Sequence, residues 1–254
     1  MKKFNYAILR TPSQSAQKYI VDTEFDFKEF VKEHETLTHF LKNIPIRVHN
    51  LPSLKDDIIG SKINPLCIAT ERCVILGNFD ENIVNNQKLA LTAHLSRFYP
   101  LDKIFFIDYP GILSSRDILE VDKTFFVSLS NWTNQEGVNQ FIEFVRPLGY
   151  EVITITNSQD SLQNYLNYVS GNNLLVKDGY EIPQEFDVFN KVVVPVEESS
   201  AIGALWVNET IILPNECVGI KEYLIELNRY RVLSIATPTF NQIQAMLKEY
   251  VILF

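Results

Sequence analysis

The sequence predicts an α/β fold built as a ring of repeated units, and three observations carry that prediction. Short β-branched and aromatic runs recur along all 254 residues. Stretches of helical periodicity fall between them, about one for every two or three strands. The alternation repeats at roughly 45 to 55 residues, a period that suggests supersecondary units or blades. Strict βαβ alternation is absent, as are a GxGxxG after a strand, a phosphate-binding loop and a Gly-Ser linker. A doubly wound nucleotide fold and a hinged two-domain layout therefore gain no support. One ring-like α/β domain over residues 1–254 is the expectation.

In chain order, NYAILR, IPIRVHN, RCVILGNF, KIFFIDYP, TFFVSLS, EVITITNS, NNLLVKD, KVVVPV, ALWVNETIILP, RVLSIAT and YVILF read as strands. Helical character covers about Phe25 to Leu41, Asn82 to Phe98, Asn134 to Val145, Gly219 to Asn228 and Phe240 to Leu247. Thr133 and Asn134 are plausible caps for the third of these, and Glu136 stands in its first turn, where the helix dipole favours an acid. The acidic VEESS stretch marks a turn into the ALWVNETIILP hairpin, with Asn208-Glu209 at its tip.

Composition narrows the function classes. With 46% hydrophobic and 21% charged residues the chain sits among globular proteins. A net charge of −8, with no basic run beyond Lys2-Lys3, disfavours nucleic acid, because phosphate binding needs a clustered basic face. No segment approaches the roughly 18 consecutive apolar residues of a membrane span, and the amino terminus does not read as a signal peptide. Cys67, Cys73 and Cys217 are odd in number and lack CxxC spacing, which argues against a disulfide framework and a zinc knuckle. A reduced, cytoplasmic setting is expected, with no cofactor, no metal, no nucleic-acid partner and no membrane. His34 and His39 are five apart and share no helix face, so no ligand cluster emerges; His34, His39, His49 and His94 read as surface or capping residues. Cys73 reads as a buried small hydrophobe and Cys217 as a turn or helix-start residue.

The opening NYAILRTPSQS, then ERCVIL, SRFYP, FFVSLSNWTNQEG, NNLLV, VEESSAIGALWVNETIILP and YRV occur in the order found in dimethylarginine dimethylaminohydrolases. The chain resembles that family over essentially its whole length. The resemblance implies the pentein fold, a five-bladed α/β propeller of ββαβ-type units with the site in a central channel. It implies dimerisation as well, and a small cationic amino acid as ligand. It also implies hydrolysis of a methylated guanidinium by a Cys nucleophile, a His proton shuttle and carboxylates that grip the planar cation.

At the addresses the resemblance assigns to that chemistry, other residues stand. Glu249 occupies the place of the nucleophile, Ser161 that of the His and Ser114 that of its Glu partner. The guanidinium-binding Asp falls on Gln244, and two loop glycines on Ala245 and Met246, in a stretch that would continue a helix. Two substrate-binding arginines fall on Trp132 and near Asn85, and an acidic pair gives Asn64, while Asp117 is kept. The family's Asn-Cys pair before the Trp strand becomes Gly203-Ala204. Trp132 reads as a filler of vacated volume, and Ser114, Ser161 and Glu249 as a polar plug with no His or Lys to activate either serine. Cys67 follows the segment that lines the channel in the family.

Three functions are compatible with these residues. The first is a catalytically inactive relative, a pseudoenzyme kept as a binding or structural module. The second is a hydrolase of a guanidine- or amidine-type C–N bond that uses Glu249 as base or nucleophile in a remodelled pocket. The third is a non-catalytic sensor of a cationic amino acid, with Glu249 and Asp117 supplying negative charge. An open cavity with Glu249 at its floor would favour the second; a channel filled by Trp132, Met246 and Tyr250 would oppose it.

Overall fold

A computed structural model describes residues 3–15, 25–54, 61–78, 81–156, 160–169, 171–227 and 231–254, with the side chains of 81–86 outside the description. The described strands form five three-stranded sheets of one design. The first joins β1 (Tyr6–Arg10), β2 (Arg47–Leu51) and, from the carboxyl terminus, β15 (Ile252–Leu253). The second holds β3 (Cys67–Ala69), β4 (Val74–Leu76) and β5 (Ile104–Phe106), and the third β6 (Ile118–Val121), β7 (Thr124–Ser128) and β8 (Glu151–Ile155). The fourth contains β9 (Leu166–Tyr168), β10 (Asn173–Lys177) and β11 (Asn190–Val194), and the fifth β12 (Leu205–Val207), β13 (Thr210–Pro214) and β14 (Arg231–Ile235).

In every sheet one flank of the middle strand pairs antiparallel and the other parallel. The parallel partner follows a crossover, which a helix supplies in four sheets: α1 (Phe27–Lys42), α2 (Glu81–Leu95), α3 (Gln135–Val145) and α4 (Val218–Glu226). This is the five-module mixed α/β architecture expected from the resemblance. Because β15 pairs with β1, the last residues of the chain complete the module that the first residues begin.

Burial explains why the middle strands are so apolar. Ala7 and Leu9 of β1 enter one hydrophobic cluster while Ile8 enters the next. Val74 and Leu76 likewise separate from Ile75, Phe125 and Val127 from Phe126, and Leu174 and Val176 from Leu175. Each middle strand thus lies between two cores, and both of its faces leave water. Alternation is erased, and a near-continuous hydrophobic run results. A fully buried side chain of this kind contributes roughly 1.5–3 kcal/mol.

Local chemistry places the boundaries. Asp26 caps α1 by accepting from the Lys28 and Glu29 amides, and Asn134 caps α3 by accepting from Gly137 N at 2.8 Å, as its position predicts. Asn208 and Glu209 take φ of 44° and 66°, the left-handed pair that closes the β12–β13 hairpin at the expected tip.

Two expectations need correction. The helix predicted to run to Leu247 is α5 (Pro238–Gln242), which stops at a turn where Gln244 takes φ 51°. Its start is fixed from a distance, because the buried Glu33 carboxylate accepts from Thr239 N and Phe240 N. His34 is not a surface residue either: it is 1% exposed, faces the Tyr250 ring at 6.3 Å, and burial lowers its pKa to about 4. The inner strands β3, β6 and β9 were absent from the sequence-based set, being three or four residues long.

Candidate active site

Just before each inner strand the chain makes a 3-10 turn: Asn64–Leu66, Ser115–Asp117, Leu162–Asn164, Val196–Gly203 and Leu247–Tyr250. Each turn touches the next, and the last touches the first, so the five close a ring. Most of the residues singled out from sequence stand on it. Asn64 opens the first turn, Ser114 caps the second and Asp117 ends it, Ser161 precedes the third, and Glu249 lies in the fifth.

Glu249 is 7% exposed. Its carboxylate meets Arg116 Nη2 at 2.6 Å and Lys62 Nζ at 2.9 Å, and accepts from Met246 N at 3.2 Å. Burial alone would push its pKa up, but the two cations outweigh burial and hold the carboxyl below its ordinary value. Asp117, fully buried, accepts from Ser130 Oγ and Thr133 Oγ1 at 2.7 Å each, both on Oδ2. Here burial wins over the hydrogen bonds, and the pKa is raised. Thr133 Oγ1 also accepts from Ser114 N, and Ser114 Oγ accepts from Arg116 N at 3.3 Å, so the two carboxylates belong to one polar network. Asn64 is tied in beside it, accepting from Ser115 Oγ and donating to Val251 O.

The remaining sequence-predicted positions lie apart. Trp132 is 43% exposed, so it fills no vacated volume. Gln244 is exposed on the turn after α5, and Asn85 falls in α2 with its side chain outside the described residues. Met246 stands where a glycine was expected, and Gly203 makes the room: a Cβ there would meet Met246 Cβ at 2.9 Å. Tyr250 is buried in the first core, stacked on Phe240 at 4.6 Å.

Inside the ring, residues from all five inner strands line an axial cavity of about 190 Å³. Trp132, Met246 and Tyr250 are not among its walls, and neither is Glu249. Lys248 is. Its ammonium donates to Gln163 O at 2.9 Å, and burial lowers its pKa to about 7 against a smaller opposing pull from Glu249. Cys67 also lines the cavity, and burial raises its thiol pKa to about 12. That thiol is no nucleophile near neutrality. Cys217 stands at the start of α4, as expected, with its Sγ 3.1 Å from Ser200 Oγ.

Sequence reasoning missed the cations. Lys62, Arg116 and Lys248 each stand within two residues of a position it singled out, yet only folding shows that the first two meet on Glu249 and the third enters the cavity. Lys62 and Arg116 attend Glu249, and among the described residues neither is paired with the hydroxyl of Ser114 or Ser161 through a charged side-chain group.

No family profile matches the chain. A curated relative, the N(G),N(G)-dimethylarginine dimethylaminohydrolase of Pseudomonas aeruginosa, is 26% identical over 244 residues, 94% of this chain and 95% of that one. A solved structure of the Pseudomonas aeruginosa enzyme, a cysteine-to-serine variant complexed with citrulline, superposes with a TM-score of 0.90 over 100% of both chains at 26% identity. The N-terminal domain of a cyanobacterial arginine dihydrolase, bound to substrate, superposes at 0.80 over 98% of this chain and 97% of that domain, at 14% identity. These likenesses overturn the reading as a pseudoenzyme: the near full-length likeness is to a hydrolase, seen with citrulline bound, and favours the hydrolase alternative. No helix among the described residues is long and apolar enough to cross a membrane. The chain is a pentein-fold relative of the dimethylarginine dimethylaminohydrolases, alike in sequence along nearly all of its length and in the course of its backbone.

Proposed function

We propose that this protein hydrolyses a C–N bond of a guanidine- or amidine-type compound, in a remodelled site where Glu249 is the base. The observation that carries the reading is the Glu249 carboxylate: buried on the ring of turns, kept ionised by Lys62 and Arg116, and joined through one network to Asp117. The likeness to a dimethylarginine hydrolase supplies the substrate class.

In the proposed reaction the substrate cation takes the place of the Arg116 guanidinium on Glu249. Arg116 can yield it, because its side chain is 35% exposed and rises from a short turn. Water adds to the central carbon and gives a proton to the Glu249 carboxylate. The C–N bond then breaks, and the amine leaves with that proton. Guanidine and water become a urea and an amine, so atoms and charge balance without a covalent enzyme intermediate.

The test is release of ureido product and amine from N,N-dimethylarginine, monomethylarginine, arginine and simple amidines, on both sides of neutrality. One of these is expected to turn over, with Glu249→Gln slowing it by at least ~100-fold. Absence of ureido product from the whole set, or a rate indifferent to Glu249→Gln, overturns the proposal.

A further inference from the structure

We propose that the axial cavity is a second reactive site, in which the ε-amine of Lys248 condenses with a small neutral aldehyde or ketone to form an imine. The cavity lies within the ring of inner strands, and Glu249 does not line it. Lys248 reaches it from the fifth turn at 9% exposure. Its one hydrogen bond, to Gln163 O, takes one of three donors, and no carboxylate lies within ion-pairing distance among the described residues. A buried ammonium without a counter-ion favours its neutral form, and the amine titrates at about 7. Such an amine keeps a nucleophilic lone pair at neutrality.

The cavity walls select the ligand. Glu120 and Asp122 line it as well, so an anionic keto acid meets two carboxylates, whereas an uncharged carbonyl compound does not. The flanks are Ile118, Leu119 and Trp206, which suit a short apolar substituent. Cys67 does not compete for the carbonyl, because burial keeps its thiol protonated. In the reaction the Lys248 nitrogen adds to the carbonyl carbon to give a carbinolamine. Its hydroxyl then departs as water with a proton from the nitrogen, leaving C=N. One water is released, and no oxidant or reductant is needed.

Propanal with cyanoborohydride, which reduces the imine to a stable secondary amine, tests this on the native full-length protein by peptide mapping. Near neutral pH, Lys248 is expected to be alkylated at least ~10-fold faster than the exposed Lys28, with a half-maximal rate near its lowered pKa. Lys248→Arg keeps a cation but cannot form the imine; it should lose that modification alone and retain the others. If Lys248→Arg does not fold, the pH profile of Lys248 modification in the native protein decides. Modification of Lys248 no faster than Lys28, or a profile that rises only with that of Lys28, overturns the proposal. The readout is site-resolved mass, so failure here and failure to release ureido product are separate results.

Discussion

Lys248 and Glu249 are neighbours in one turn, both nearly buried, and the fold treats their charges in opposite ways. Glu249 is met by two cations at 2.6 and 2.9 Å and is held ionised, whereas Lys248 finds only a carbonyl oxygen and is driven toward neutrality. The difference teaches that burial drives an ionisable group toward its neutral form unless charged partners outweigh it. Asp117 lies between these cases. Two hydroxyls bond to it, and burial still prevails because neither carries a charge.

The largest expected effect breaks the Glu249 half of the comparison. Glu249→Gln keeps the shape, removes the charge and leaves Lys62 and Arg116 facing each other. Hydrolysis should fall by ~10²- to 10⁴-fold in a ureido-product assay. A variant as active as the parent would sink the role given to Glu249.

The Lys248 half is tested by stability against pH. Its folded pKa is depressed from 10.5 to about 7, so its contribution is fully present only above the unfolded value and is lost as pH falls through the folded one. The unfolding free energy from urea titrations should therefore rise from near neutrality toward alkaline pH, by an upper limit of about 5 kcal/mol. Lys248→Met should flatten that slope. A slope unchanged by the substitution would place the proton uptake elsewhere.

His34 sharpens the same point without any charge partner. Burial alone depresses its pKa from 6.5 to about 4. The stability it allows is present above pH 6.5 and lost as pH falls through 4, by at most roughly 3 kcal/mol. Acid unfolding of His34→Phe should begin at lower pH than that of the parent, as followed by circular dichroism.

The smallest effect concerns Arg116, the more exposed of the two clamps. Arg116→Gln frees Glu249 for an external guanidinium, so dimethylarginine should bind ~2- to 5-fold more tightly, read as a larger thermal shift. Weaker binding in the variant would mean that Arg116 aids the ligand and does not compete with it.

Legibility followed the physics of each element. Middle strands such as RCVIL and TFFVS were visible because burial on both faces makes them apolar throughout, and the hairpin tip at Asn208-Glu209 was visible through its turn chemistry. CIA, ILEV and LNY, three of the five inner strands, are too short for any period to register. The turn at Gln244 was read as helix because no glycine announces it, and the capping of α5 by Glu33 comes from a residue more than 200 positions away.

By itself the sequence determined the class of fold, its repeat, its family likeness and the set of positions at which chemistry was to be sought. Those properties reside in composition, local period and order along the chain. Only the tertiary structure decided what those positions are. Lys62, Arg116 and Glu249 are separated by 54 and 133 residues along the chain, and they meet because five turns close a ring. Charge state depends on distance in space and on exclusion of water, and neither is written in the order of residues.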